Sequence, residues 1–508
     1  MPAEPRSAQP EMHLTKLLGS VPGPREGLWL GVVLALLASL PVLIAAYPQM
    51  GDYPAHLARY HVMLDGGNSP WLNRYYGFEW KWTGNLGADL LIGPLARAFG
   101  PEPGGLEAAG RLTAGLIPVL TALSILTAEW TLRKRIGAGS LLAFVFIWSP
   151  SLLLGFLNYG LSLALALFAF ALWVRLDGQR WRWAVFILVG LVVWLAHVSG
   201  WGVLGLLVFG YEWHKVWQNE PRKYWRAFLA PWPLTIPILP MLFGAGTKGL
   251  FSYGAHVLIY KQAIWLKAMR DQWEPLDKFS LAAVLLVLLI VLARKRIDGR
   301  LGWAALLLLI GSLAVPRQIV GGDYADYRLI STGLLVACLA IDWPLPRWAL
   351  YLAPALFLGR LAVTVAGWQA SSAETAELLA ALDRVPQGAR IASAVAVDRS
   401  RWAFNPHEHI GGYAVVRRDA LVNSNFAVPR VHMLWLREGG PNFIDASQRL
   451  LVRPGTRVDL SGFGPARQAD YLWYAGAAEP LRLPPGATVI WRSKHGLLAR
   501  LAKAPDPS

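Results

Sequence analysis

The sequence predicts a multi-pass α-helical membrane protein of about eleven transmembrane helices, with a small C-terminal α/β domain outside the membrane. Three observations predict it. Of 508 residues, 55% are hydrophobic and only 16% charged, against about 25% charged in a soluble chain. Apolar runs of near membrane-crossing length recur between residue 28 and about residue 369. From about residue 370 the composition turns to that of a soluble domain. The mean hydropathy of +0.38 excludes a disordered chain. Cys338 is the single cysteine, so no intramolecular disulfide and no cysteine-based metal site can form.

A bilayer core of about 30 Å needs roughly 20 apolar residues as helix. The first run, Leu28 to Tyr47, is too long for a signal-peptide core and reads as a retained helix. Further spans are predicted at 112–132, 139–155, 157–175, 183–198, 200–213, 227–243, 279–293, 301–315, 329–342 and 347–367. Two pairs meet at tight turns, at Phe156 and at Val198-Ser199, which neighbouring helices must shield. In the last part, Ala373 to Arg384 reads as an amphipathic helix. Strands are predicted at Ala389 to Val397, Asp470 to Tyr474, Thr488 to Arg492 and Leu497 to Leu501. The division is thus a cytoplasmic segment 1–27, a membrane domain 28–369 and an extracytoplasmic α/β domain 370–508.

The formal net charge is +16, and its distribution sets the direction of the chain. Basic clusters fall at every second connection: Arg133-Lys134-Arg135, Arg175/Arg180/Arg182, Lys215/Arg222/Lys223/Arg226 and Arg294-Lys295-Arg296/Arg300. The long alternate connections, 48–111, 244–278 and 316–328, hold 12 Lys/Arg against 11 Asp/Glu. This is the positive-inside pattern, with the N-terminus cytoplasmic. The surplus charge is therefore a topology signal, and no nucleic-acid partner is expected.

Ionisable residues are costly near a bilayer and mark function when they cluster. Here they gather in the outer connections. Asp52, in Gly51-Asp52-Tyr53-Pro54-Ala55-His56, stands at the start of a predicted helix, with His56 one turn on. The pair reads either as a helix cap beside an interfacial ring, or as an acid/base or metal-binding pair. The segment from Tyr75 to Asp89 mixes Trp80 and Trp82 with Glu79, Lys81, Asn85 and Asp89, which suits a sugar or an interfacial aromatic belt. Arg317 to Arg328 packs Arg317, Asp323, Asp326 and Arg328 into twelve residues, and guanidinium groups bind phosphate well. His256, Lys261 and Arg270 are candidate phosphate or headgroup contacts. Asn158 and His197 fall at outer turns, where a lone His is also an ordinary structural group. His407 and His409 read as a polar loop or a metal pair. No Walker A, G-x-S-x-G or H-E-x-x-H motif is present.

An early Asp after the first helix, many spans, polar outer loops and an outer C-terminal domain together resemble the C-type glycosyltransferase superfamily. The resemblance rests chiefly on Asp52 and its surrounding motif. It departs from better-known members in having no Asp-Glu pair at 52–53. It implies a membrane glycosyltransferase, of the hexosyl- or pentosyltransferase class, at the outer face of a bacterial inner membrane. Its donor would be a polyprenyl-phosphate or polyprenyl-diphosphate sugar, and its acceptor a lipid, glycan or protein. Asp52, His56 and Asp326 would be catalytic. Asp89, Asn158, His197, His256, Lys261, Arg317, Asp323 and Arg328 would bind substrate. A divalent cation (magnesium or manganese) is a candidate cofactor, with Asp52 as its ligand. The competing reading is a transporter or export protein for a lipid or glycan. That reading calls for polar residues through the bilayer midplane, and the midplane here is poor in charge, with Arg360 the main exception.

Overall fold

Helix accounts for most of the chain before residue 380, and sheet is confined to the end and to one ribbon. The computed structural model describes residues 18–243, 251–319, 322–427, 432–443 and 449–502. Most of the N-terminal segment, residues 244–250 of one outer connection and residues 320–321 of another lie outside the described residues.

The first apolar run folds as α1 (Pro24–Leu37) and α2 (Leu40–Ile44), with Pro24 opening α1 and Glu26 accepting the Gly23 N–H at 3.3 Å. The connection that follows is itself built. It carries α3 (Tyr53–Asp65), the strand β1 (Tyr76–Phe78) and α4 (Gly87–Phe99). The helices α5 (Gly104–Arg133), α6 (Leu157–Arg175), α7 (Arg182–Ala196) and α8 (Val198–Asn219) come next. After them come α9 (Val257–Leu266), α10 (Glu274–Ala293), α11 (Gly299–Ala314), α12 (Ala325–Leu339) and α13 (Ala355–Leu379).

Helical chain stands at each of the eleven predicted spans. By length and composition, five helical segments suffice to cross a membrane: 24–44, 104–133, 157–175, 274–293 and 347–384. Four predicted spans are broken, the first between Leu37 and Leu40 and the last between Leu352 and Ala355. Pro150 interrupts 139–155, and Pro231, Pro233, Pro237 and Pro240 divide 227–243 into short turns, because proline lacks the N–H that a helix interior needs.

Ion pairs tie one end of the bundle together. Arg133, ending α5, reaches Asp298 at the head of α11 at 3.0 Å, and Arg135 reaches Asp342 beyond α12 at 2.6 Å. Arg347 pairs with Glu26 at 2.7 Å at the same end. The connections rich in Lys and Arg thus share one face, and the 48–111 connection lies at the other.

α13 runs without a break from the membrane domain towards the end domain, so no flexible linker separates them. The end domain contains β2 (Arg390–Asp398), α14 (Gly412–Arg418), β3 (Leu421–Val422), β4 (Leu434–Leu436) and β5 (Arg449–Val452). β6 (Tyr471–Ala475), β7 (Thr488–Arg492) and β8 (Gly496–Arg500) complete it. The sheet order is β3-β2-β6-β8-β7, with β5 also on β2. β2 is parallel to β3, β5 and β6, while β8 is antiparallel to β6 and β7. The four predicted strands correspond to β2, β6, β7 and β8. The short β4 pairs antiparallel with β1, Tyr76 opposite Leu436, and so stitches the 48–111 connection to the end domain.

Candidate functional site

Asp52 stands at the N-terminus of α3, yet its side chain makes no capping hydrogen bond. The turn is held by the backbone instead: the Asp52 N–H donates to the Leu154 carbonyl at 2.8 Å. Gly155 makes this approach possible. It has φ +93, and a Cβ there would lie 2.8 Å from the Asp52 nitrogen. The carboxylate is therefore freed from the capping role that its position suggested. It retains 24% of its side-chain surface accessible.

The end domain delivers the next residue. His409 Nε2 lies 3.5 Å from Asp52 Oδ1, and its other nitrogen meets the Ser424 hydroxyl at 3.2 Å. Glu408 is paired with Arg449 at 2.7 Å. Burial, reinforced by the nearby charge of Glu408, pushes the Asp52 carboxyl up to about 8. Burial, with the charge of Arg449, pulls the His409 imidazole down to about 3. The pair is thus a proton-holding carboxyl beside a neutral ring.

Two contacts hold His409 in place. Gly412 starts α14 directly against α3, where a Cβ would meet the Pro54 carbonyl at 2.2 Å. Arg270 donates to the backbone carbonyls of Arg401, Trp402 and Ala403 and lies over the Phe404 ring at 4.3 Å, pinning the 401–404 loop. Around the carboxylate, Phe426 meets three imidazoles, His56 at 5.2 Å, His409 at 5.4 Å and His432 at 5.3 Å.

Arg328, in the first turn of α12, is the notable cation. It is 8% exposed and lies over the Phe156 ring at 4.3 Å. Among the described residues its guanidinium has no hydrogen bond or ion pair, and its Nε is buried without a partner. The charge of Asp52 acts on it. A buried guanidinium without a partner is costly, and a bound anion would relieve it.

The other predicted residues separate into groups. Asp326 is fully buried and takes Lys261 Nζ at 2.6 Å and the Tyr260 hydroxyl at 3.1 Å. Lys261 also donates to the carbonyls of Ser312 at 2.8 Å and Val315 at 2.6 Å, which uses all three ammonium protons. Arg317 and Asp323 form a two-pronged pair, both bonds 2.7 Å, with Tyr260 and Tyr324 against the guanidinium. Asp89 accepts from Arg59 at 2.9 Å and from Asn158 at 2.9 Å, which binds α3, α4 and α6 together. His197 caps α8 by accepting the Ser199 N–H at 3.0 Å and meets Tyr159 edge-on at 5.7 Å. His256 is exposed, at the head of α9, away from this cluster.

His56 is buried on α3, its ring against Phe426, with Nδ1 unpartnered. Phe426 and His432 carried no sequence signal, since their approach to His56 joins positions more than 350 apart. Among the described residues no group of three His, Cys, Asp or Glu is arranged to hold a metal. Asp52 and His409 supply two donors, fewer than an all-protein site needs.

No family model and no curated protein matches the sequence. Among solved structures, the chain is similar to the crystal structure of ArnT from Cupriavidus metallidurans bound to undecaprenyl phosphate, with a TM-score of 0.50 and 10% identity. The match covers 95% of this chain and 100% of that one. The two chains thus share one fold along nearly their whole lengths.

Proposed function

We propose that the chain is a membrane glycosyltransferase that moves a sugar from a polyprenyl-phosphate or polyprenyl-diphosphate donor to an acceptor at the outer face of a bacterial inner membrane. One observation carries the proposal: a carboxylate relieved of its capping role, Asp52, stands within the field of Arg328, a buried guanidinium that lacks a partner among the described residues. In its ionised form, reached as pH rises to about 8, Asp52 takes the proton of the acceptor nucleophile. The freed electron pair forms the new bond to the anomeric carbon while the donor's sugar–phosphate bond breaks. The departing phosphate gains charge, and Arg328 balances it. The ArnT structure's bound undecaprenyl phosphate supports a polyprenyl carrier here too.

A donor of this kind cannot leave the bilayer, so the enzyme has to sit beside it. The basic end then faces the cytoplasm, and the end domain, with His409 and Phe426, covers the acceptor side. Lys261 and Asp326 serve the frame, joining α9 to α12. Membranes containing the protein, given a polyprenyl phosphate labelled in its sugar, should move the label to a product that no longer partitions with the polyprenyl lipid. Label that crosses the membrane still attached to its carrier would favour a transporter instead.

A further inference from the structure

A second feature lies on the other side of α3. A groove of about 510 Å³ runs between α2 and α5, within the ~300–1,000 Å³ of small-molecule pockets. Its wall is hydrocarbon, from Val42, Leu112, Leu116 and Val119, and Leu43, Leu112 and Leu116 are exposed along it. On α5 it extends from Glu107 to Val119. At 1.5 Å per residue that is roughly 18 Å, close to one leaflet of a hydrocarbon core about 30 Å thick. Its mouth is on the Asp52 side, so it occupies the outer leaflet.

One ion pair and one guanidinium hydrogen-bonded to backbone stand at the mouth. Arg417 holds Glu107 at 2.9 and 3.0 Å, and Arg111 donates to the carbonyls of Val42 at 3.0 Å and Leu43 at 2.7 Å. Two neutral donors are left over. Tyr53, from α3, and Tyr413, from α14, line the groove and are each 2% exposed. Among the described residues neither hydroxyl has a hydrogen-bond partner. A hydrocarbon slot one leaflet deep, headed by uncharged donors, matches an acyl chain with its ester carbonyl just below the headgroup. An isoprenoid phosphate has no carboxylic ester carbonyl to offer these phenols.

We infer that this groove is a binding site for one acyl chain of a diacyl phospholipid, with the ester carbonyl on Tyr53 and Tyr413. The site is separate from Asp52. Because α3 and α14 both contribute a phenol, the lipid lies beneath the joint between the end domain and the membrane helices.

The test uses the full chain in phosphatidylglycerol nanodiscs, doped with a phosphatidylethanolamine that carries a diazirine midway along its acyl chain. After illumination, labelled residues are mapped by mass spectrometry. Label should fall on Leu112 and Leu116. It should disappear in Gly115→Phe, whose Cβ has ordinary contact, 3.5 Å from Val42, and whose ring fills the slot. A comparison on the unmodified protein needs no variant. The ester lipid should label about fivefold more than its ether-linked analogue, as one hydrogen bond of ~1 kcal/mol implies. Equal labelling by ester and ether, unchanged labelling in Gly115→Phe, or stronger labelling of the groove by a photoactivatable polyprenyl phosphate would overturn the inference.

Discussion

At the scale of single residues, two kinds of buried cation decide what the site can do. Lys261 has all three of its protons committed, while Arg328 has none of its donors paired among the described residues. Their substitutions should therefore differ in kind. Lys261→Met leaves Asp326 buried without its partner, a loss of ~3–5 kcal/mol. We expect a lowered melting temperature in detergent, with activity per folded molecule retained. Arg328→Met removes an unsatisfied group and should leave stability unchanged or raised. It should lower transfer by roughly 10²–10³-fold, as removal of one charge-stabilising donor does. Asp52 adds a pH signature. Its carboxyl titrates at about 8, and a general base must be ionised. Transfer measured as kcat/KM should thus rise with pH up to about 8, and be lost as pH falls below it. A flat profile between pH 6 and 9 would count against Asp52 as the base.

At the scale of elements, α3 is the joint of the molecule. One helix of thirteen residues carries Asp52 at its head, His56 one turn on, Arg59 in its buried pair with Asp89, and His61 near its end. His61 bridges two carboxylates, Asp419 of the end domain at 2.9 Å and Glu102. Burial opposes its charge, but the hydrogen bonds from Asp419 and Glu102 prevail and raise it to about 9. A raised histidine stabilises fully below its ordinary value near 6.5 and loses that contribution as pH rises through 9. Hydrogen exchange across 53–65 and 412–419 should accordingly quicken between pH 7 and 10, and His61→Gln should exchange quickly at both. This joint also marks what the sequence made legible. Spans, basic clusters and the main strands follow from local periodicity and charge, so they could be read directly. Asp52 and Arg328 stand out as candidates because ionisable groups beside apolar spans need a reason. The approach of His409 to Asp52, and that of Phe426 to His56, depend on pairings across more than 350 residues. No local pattern encodes those. Lys261 and Asp326 looked like site residues for the same reason as Arg328, and only their hydrogen bonds show how fully each is committed.

At the scale of the whole molecule, a membrane bundle and a small sheet domain meet over one carboxylate. α13 passes between them unbroken, β1 pairs with β4, and Arg270 grips the 401–404 loop. Releasing that grip should disturb chemistry more than folding. Arg270→Ala loosens the 401–404 loop ahead of His409, while Trp402 keeps its bond to Asp277, so kcat should fall while the bundle keeps its melting temperature. The central claim, however, rests on Asp52. The most direct measurement is transfer of a labelled polyprenyl-linked sugar in membranes, comparing the natural chain with Asp52→Asn at equal amounts of folded protein. The side chains are nearly isosteric, and Asp52 makes no capping bond that the change would break. A loss of roughly 10²–10⁴-fold is expected for removing a general base; equal transfer by both proteins would contradict Asp52 as the base and, with it, the catalytic reading of the site.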